Sequence, residues 1–156
     1  MRVGQILLMR HAEKPDDHAD PDLSPAGVQR ARELVPYVQA TFGAPSFLFA
    51  AAPSVHSSRP VQTIEPLSKA VGVAIDESIA DKHYEDLANK LLTEPRYLGK
   101  LTVVCWHHEK IPALARALGA RQGQYPDPWK DDVFNLILKF DFDGDRLEVT
   151  KKTEPF

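Results

Sequence analysis

The sequence is poor in the features that mark secreted, membrane-bound and nucleic-acid-binding proteins. Cys105 is its single cysteine, so no internal disulfide can form, and we expect a reducing, cytoplasmic environment. The apolar run near the N-terminus, residues 6–9, is too short for a signal-peptide core, and no segment approaches a membrane span. The formal net charge of -3 gives no basic excess. We therefore expect neither nucleic acid nor a membrane as a partner.

What the sequence does contain is an alternation of strand-like and helix-like segments. The 156 residues predict one domain, residues 1–156. Predicted strands cover residues 5–9, 47–50, 73–76, 101–106, 133–140 and 147–151, and predicted helices cover residues 25–42, 58–71, 84–92 and 111–118. This order predicts an α/β fold, a three-layer αβα sandwich with a mostly parallel central sheet and a C-terminal antiparallel hairpin.

The first predicted helix carries clear boundary signals. Ser24 is expected to cap its N-terminus, and Pro25 suits the first helical position. Gly43 ends the helical spacing of apolar residues. Pro36 lies inside the pattern, and we expect a kink or a break there because proline removes a backbone hydrogen bond.

Two of the apolar strands end in histidine. Residues 5–9 lead directly into Arg10 and His11, and residues 101–106 lead into His107 and His108. If both strands are parallel members of one sheet, Arg10, His11 and one of the later histidines meet beyond the carboxyl ends of the strands. That edge is where α/β sheets bind ligands.

A third segment supplies another cation. Arg59 lies near the predicted start of the second helix, with Ser57 and Ser58 beside it. Helix N-termini offer free backbone N–H groups and a partial positive charge, and both suit phosphate. Arg59 with Arg10 and the histidines would form a pocket for a dianion, with the two serines as further phosphate ligands.

Four motifs carry a resemblance to a known family. "LLMRHAEKP" resembles the Arg-His-Gly/Ala-Glu signature of the histidine phosphatase superfamily, the phosphoglycerate-mutase-like proteins. "LSPAGVQRARELVPY" resembles the helix that follows it, "SSRPVQTIEPL" the second arginine motif, and "VVCWHHEKIPALARALG" the strand that delivers the second histidine. The motifs occur in family order from about residue 5 to residue 119.

The resemblance implies a metal-independent phosphatase without a cofactor. His11 would attack phosphorus and carry the phosphoryl group as a covalent intermediate. Arg10, Arg59 and the second histidine would stabilise the charge that develops on the phosphoryl oxygens. The short chain resembles the small phosphohistidine-phosphatase-like branch and makes mutase activity unexpected. The expected substrate is a phosphorylated small molecule or a phosphoprotein.

The identity of the second histidine is open. Alignment on Ile111 alone selects His107. The Trp-Glu-His-x-x-Ile-Pro pattern of small bacterial relatives, matched to Trp106, Ile111 and Pro112, selects His108, which we prefer slightly. Side chains of neighbouring strand residues face opposite sides, so we expect one histidine in the pocket and the other outside it.

The general acid is open as well. Glu77, Asp81 and Glu85 follow the third predicted strand, and Glu85 is included among the predicted catalytic residues. A phosphohistidine substrate leaves as an imidazole and needs an acid less than an alkoxide does. Near the nucleophile, Glu13 and Lys14 are expected to form solvent-exposed pairs.

Two rival functions come from other classes. A metal-dependent hydrolase could use the six histidines. The chain lacks the His-Glu-x-x-His pattern, however, because the residue four positions after His108 is Pro112 and not a histidine. A catalytically weak pseudo-phosphatase that only binds phosphorylated ligands is the non-enzymatic alternative. Binding alone does not require a nucleophilic imidazole, so the complete set of two arginines and two histidines favours an enzyme.

Overall fold

In the computed structural model, which describes residues 2–156 with side chains from residue 4 onward, six strands form one sheet. The strands are β1 (Arg2–Arg10), β2 (Phe47–Ala50), β3 (Ile75–Asp76), β4 (Leu101–Trp106), β5 (Leu136–Gly144) and β6 (Arg146–Thr153). Their order across the sheet is β3-β2-β4-β1-β5-β6. The first four of these are parallel, and β5 and β6 are antiparallel. The predicted mostly parallel sheet with a C-terminal hairpin is confirmed.

Helices cover both faces of the sheet. They are α1 (Pro25–Thr41), α2 (Arg59–Val71), α3 (Tyr84–Thr93) and α4 (Ile111–Ala117), with short 3-10 turns at Asp81–His83 and Pro95–Tyr97. Leu7 and Met9 of β1 face α1 and α2, whereas Ile6 and Leu8 face α3 and α4. This alternation follows from the two-residue period of a strand. Burial of each such side chain contributes about 1.5–3 kcal/mol to the free energy of folding. Because both faces of the sheet are apolar, helices pack on both and form three layers.

The first helix is not broken at Pro36. α1 runs without interruption from Pro25 to Thr41, with Ser24 as its N-cap: the Ser24 hydroxyl accepts a hydrogen bond from the Gly27 backbone N–H. Pro36 and Arg32, whose carbonyl loses its helical partner, both lie on the exposed face. Water can hydrate that carbonyl. Of the predicted kink or break, the break is therefore wrong.

The hairpin is longer than the hydrophobic pattern predicted. β5 pairs with β1 from Met9 opposite Ile137 to Arg2 opposite Gly144, so the strand continues through the polar "DFDG" segment. Gly144 has a φ of 62°, which suits the tight turn into β6. Val133 lies outside the strand, in the segment that precedes it. β3 begins at Ile75 and is shorter than the predicted 73–76.

The register of β1 and β4 positions the candidate site. Arg10, the last residue of β1, lies opposite Trp106, the last residue of β4. The His11 backbone N–H donates to the Trp106 carbonyl at 3.2 Å, so the two strands end level with each other. The residues that follow, His11 and His107, therefore leave the sheet side by side. Within the described part of the chain, no helix has the length and apolarity needed to cross a membrane.

Candidate active site

His11 is held as a neutral imidazole with one free nitrogen. Its side chain is 3% exposed, and Nδ1 lies 2.7 Å from the Ala12 carbonyl oxygen. Since a carbonyl only accepts, Nδ1 carries the proton and Nε2 carries the lone pair. Burial lowers the pKa of His11 to about 3. The hydrogen bond to Ala12 opposes this shift, and the charges of His107, Arg10 and Arg59 lower the pKa further. His11 is therefore uncharged at neutral pH.

The two later histidines have separate surroundings. The His107 ring meets the His11 ring edge to face, with centroids 5.3 Å apart and planes at 71°. Burial, followed by the charge of Arg59, lowers the pKa of His107 to about 4. His108 instead places Nε2 3.3 Å from Asp131 Oδ1. Of the two candidates, the structure brings His107 against His11.

Arg59 is the first residue of α2 and is 8% exposed. Its Nε donates to the Asp22 carbonyl at 3.0 Å, and its Nη2 donates to the Asp20 carbonyl. These hydrogen bonds hold the acidic loop, residues 16–22, against the start of α2. The hydroxyl of buried Ser57 accepts the Arg59 backbone N–H at 3.2 Å, and the Ser58 N–H donates to the Pro21 carbonyl. The two serines thus position Arg59 and the loop.

The Arg10 guanidinium donates hydrogen bonds to a loop through Nη1, and its other two nitrogen atoms are buried. Nη1 donates to the carbonyls of Asp131 at 2.7 Å and Val133 at 3.0 Å, and the guanidinium lies 3.9 Å from the centre of the Phe134 ring. Among the described residues, its buried Nε and Nη2 have no hydrogen-bond partner. Burial lowers the pKa of Arg10 to about 10, which still leaves it charged at neutral pH. Unpaired N–H groups on two nitrogen atoms of a buried cation suit an anionic ligand.

Positive charge at this site comes from guanidinium groups. Arg10 and Arg59 both lower the pKa of His11 and of His107, so the two arginines act on both rings. Within residues 2–156, no group of three or more His, Cys, Asp or Glu side chains is arranged to hold a metal ion. Two arginines and two neutral imidazoles can bind and polarise a phosphoryl group.

Thr63 links the segment after His11 to Arg59. Its hydroxyl accepts the Ala12 backbone N–H at 2.8 Å and donates to the Arg59 carbonyl at 2.7 Å. Thr63 lies in the second arginine motif, so the sequence offered a signal for it. Phe134 lies in none of the four motifs, yet its ring centre is 6.2 Å from that of His11.

The segment after His11 is packed tightly against α1. A Cβ on Gly27 would lie 2.4 Å from the Glu13 carbonyl oxygen, so only glycine permits this approach. The Glu13 carboxylate forms a partly buried ion pair with Arg30 at 2.9 Å. Lys14 lies 3.5 Å from Asp131 Oδ1. The pairing of Glu13 is therefore less exposed than expected.

The three candidate acids differ in position. Asp81 lies near the end of β4: the Trp106 indole N–H donates to the Asp81 carbonyl at 3.1 Å. Burial raises the pKa of Asp81 to about 6, against the lowering effects of Lys110 and of the His107 backbone N–H. Glu77 is exposed, and Glu85 lines an exposed groove between α3 and α4. Among these three, the structure brings Asp81 to the histidines.

Solved phosphatases share this architecture along nearly the whole chain. The match to a protein assigned as phosphohistidine phosphatase SixA from Nakamurella multipartitia has a TM-score of 0.67 and 15% identity, covering 100% of this chain and 99% of the other. Phosphoserine phosphatase from Entamoeba histolytica, in complex with 3-phosphoglyceric acid, matches with a TM-score of 0.64 and 14% identity, covering 98% of each chain. The chain has the histidine phosphatase fold.

The histidine phosphatase fold confirms the predicted resemblance at the level of architecture. Phosphoglycerate mutase from Plasmodium falciparum shares it too, with a TM-score of 0.62 and 15% identity, covering 96% of this chain and 90% of the other. The fold therefore does not separate phosphatases from mutases. No protein-family model and no curated protein sequence matches the chain.

Proposed function

We propose that the protein is a metal-independent phosphatase that hydrolyses phosphomonoesters or phosphohistidine through a covalent phosphohistidine at His11. The observation that carries the proposal is the His11 imidazole itself. It is buried and neutral, its Nδ1 is engaged by Ala12, and its Nε2 retains a lone pair beside His107 and two guanidinium charges. A buried nucleophile in a cationic pocket suits attack on a phosphate dianion.

The reaction has two displacements at phosphorus. The Nε2 lone pair of His11 forms a bond to phosphorus, the bond to the leaving group breaks, and the leaving atom takes the electron pair and a proton. Water then attacks the phosphohistidine and gives up a proton, and the P–N bond breaks with its electron pair returning to Nε2. The products are the dephosphorylated compound and inorganic phosphate.

Arg10 and Arg59 stabilise the charge on the phosphoryl oxygens. Arg10 has Nε and Nη2 free of hydrogen-bond partners among the described residues, an arrangement that suits bidentate contact with two oxygens. The loop carbonyls of Asp20 and Asp22 hold Arg59 in place before the substrate binds. Such preorganised donors each contribute about 2.7–4 kcal/mol to transition-state stabilisation.

His107 is the proposed second histidine, and its contact with the His11 ring supports this choice over His108. As a neutral imidazole it can donate one N–H to a phosphoryl oxygen.

Asp81 is the proposed general acid. Its pKa of about 6 leaves a useful fraction protonated near neutral pH, whereas an ordinary aspartate is almost fully ionised there. Its carboxyl gives a proton to the leaving group and regains one from solvent before the next turnover. Asp81 replaces Glu85 in this role because Glu85 lies in the groove between α3 and α4.

Acid-quench labelling tests the proposal. The protein is mixed with a phosphate-labelled substrate, denatured rapidly and assayed for label that is stable in base and labile in acid. We expect such label in the wild type and none in His11→Ala. His56→Ala, which removes an exposed histidine from a nearby loop, is the matched control and should label normally. Equal turnover of p-nitrophenyl phosphate by wild type and His11→Ala would refute the nucleophile, and tight binding without turnover would favour the pseudo-phosphatase.

A further inference from the structure

A carboxylate of the protein itself lies among two cations and a histidine at the edge of the candidate site. Asp131 Oδ1 lies 3.3 Å from His108 Nε2, 3.5 Å from Lys14 Nζ and 3.7 Å from Arg10 Nη2. One oxygen atom thus faces three nitrogen atoms from three separate parts of the chain. Such convergence on an anion is what a carboxylate-binding site requires.

The carboxylate and the backbone of Asp131 are held very differently. The Asp131 carbonyl accepts from Arg10 Nη1 at 2.7 Å, which anchors the backbone. The side chain is 75% exposed, and its contacts with the three nitrogens are all longer than 3.2 Å. Ion pairs with so exposed a carboxylate are weak. The carboxylate can therefore move away from the three nitrogen atoms while the backbone stays in place.

We propose that Lys14, His108 and Arg10 form a subsite for a carboxylate on the substrate, and that the Asp131 carboxylate occupies it until the substrate binds. This inference rests on the proposed phosphatase function at His11. It narrows the substrate class to phosphomonoesters that carry a carboxylate. Asp131 then determines specificity, because its carboxylate competes with a carboxylate on the substrate but not with the phosphate group that every substrate carries.

The subsite adjoins the phosphate pocket, so the substrate is short. Arg10 belongs to both, with Nε and Nη2 available on the same guanidinium. His108 follows His107 directly, and consecutive Cα atoms are about 3.8 Å apart. A chain of a few carbon atoms between phosphate and carboxylate is sufficient to span the two positions.

The test compares 3-phosphoglycerate with glycerol 3-phosphate, which differ by a carboxylate in place of a hydroxymethyl group. Binding is measured calorimetrically in a His11→Asn background, in which no turnover occurs by the proposed route. We expect 3-phosphoglycerate to bind more tightly by about three- to tenfold, the range for one charge-assisted contact at a partly exposed site. Lys14→Met should abolish this preference and leave glycerol 3-phosphate binding unchanged. Asp131→Asn should increase the preference for 3-phosphoglycerate, because the variant lacks the competing carboxylate.

Two variants serve as matched controls. Lys82→Met removes an exposed lysine charge from the turn at Asp81–His83. Asp145→Asn removes an exposed carboxylate from the turn between β5 and β6, at the opposite end of β1 from Arg10. Neither should alter the ratio of the two dissociation constants.

The subsite is refuted if the two ligands bind equally, or if Lys14→Met weakens both to the same extent. Hydrolysis of p-nitrophenyl phosphate by the protein with His11 intact is scored separately. Its absence would refute the phosphatase function, while the binding ratio would still decide the subsite.

Discussion

The rings of His11 and His107 meet edge to face, 5.3 Å between centroids, although the residues are far apart in the sequence. The parallel register of β1 and β4 produces this contact, because both strands end at the same level of the sheet. Burial and the charges of Arg10 and Arg59 lower the pKa of both rings. The site therefore contains two neutral imidazoles within reach of two guanidinium charges.

The pKa values of His11 and Asp81 predict an unusual pH dependence. His11, with a pKa of about 3, stays unprotonated down to pH 5, so acid should not inactivate the nucleophile there. Asp81, with a pKa of about 6, loses its proton above that pH. For an alkyl phosphate, kcat should fall as pH rises through 6, because the leaving alkoxide needs the proton. For p-nitrophenyl phosphate, whose leaving group departs unaided, kcat should stay level.

Asp81→Asn provides the control for this pH profile. It should lower kcat for the alkyl phosphate at pH 5 by about 10²–10⁴-fold, the usual effect of general acid catalysis, and leave p-nitrophenyl phosphate nearly unaffected. Glu85→Gln, on the exposed groove, should behave as wild type. An alkaline limb that persists unchanged in Asp81→Asn would rule out this acid.

Thr63→Val should impair catalysis through two lost hydrogen bonds. The valine can neither accept the Ala12 N–H nor donate to the Arg59 carbonyl, and both groups are buried. We expect the free energy of unfolding to fall by about 1–3 kcal/mol, and kcat to fall because His11 and Arg59 lose their shared support. Urea unfolding and steady-state kinetics measure the two effects.

Thr63→Ser keeps the hydroxyl and loses only a methyl group. Its kcat should therefore stay close to the wild-type value, even if its free energy of unfolding is lower. If Thr63→Val retains wild-type kcat while losing stability, Thr63 contributes to packing alone.

Glu154 should make folding stability depend on pH. Burial raises its pKa from 4.5 to about 7 and outweighs the attraction of Arg30, which donates to it at 2.8 Å. Between these values the folded state holds a proton that the unfolded state releases, so the free energy of unfolding should decrease as pH rises. At about 1.4 kcal/mol per unit of pKa, the decrease reaches about 3 kcal/mol.

Urea unfolding at pH 4.5, 6 and 7.5 measures this slope. Glu154→Gln should flatten it, whereas Glu148→Gln, at an exposed position on β6, should not. A wild-type protein whose stability rises over the same range would contradict the assignment to Glu154.

Much of the architecture could be read from local patterns. The alternation of strand and helix signals gave the three layers, and β2 and β4 have the predicted bounds of 47–50 and 101–106. Local rules failed where tertiary pairing or solvent decided the outcome. Pairing with β1 extended β5 through alternating aspartates, and exposure of Pro36 allowed α1 to continue.

The sequence by itself determined which groups could take part in the chemistry. The motif at the end of the first strand identified Arg10 and His11, and the motif at the start of the second helix identified Arg59. Such motifs depend only on residues that are neighbours in the sequence. The tertiary structure decided which candidates meet. It brought His107 to His11 and left His108 with Asp131, and it half-buried Asp81 while exposing Glu85. Burial and proximity of groups distant in the chain set these pKa values and contacts, and no local pattern encodes them.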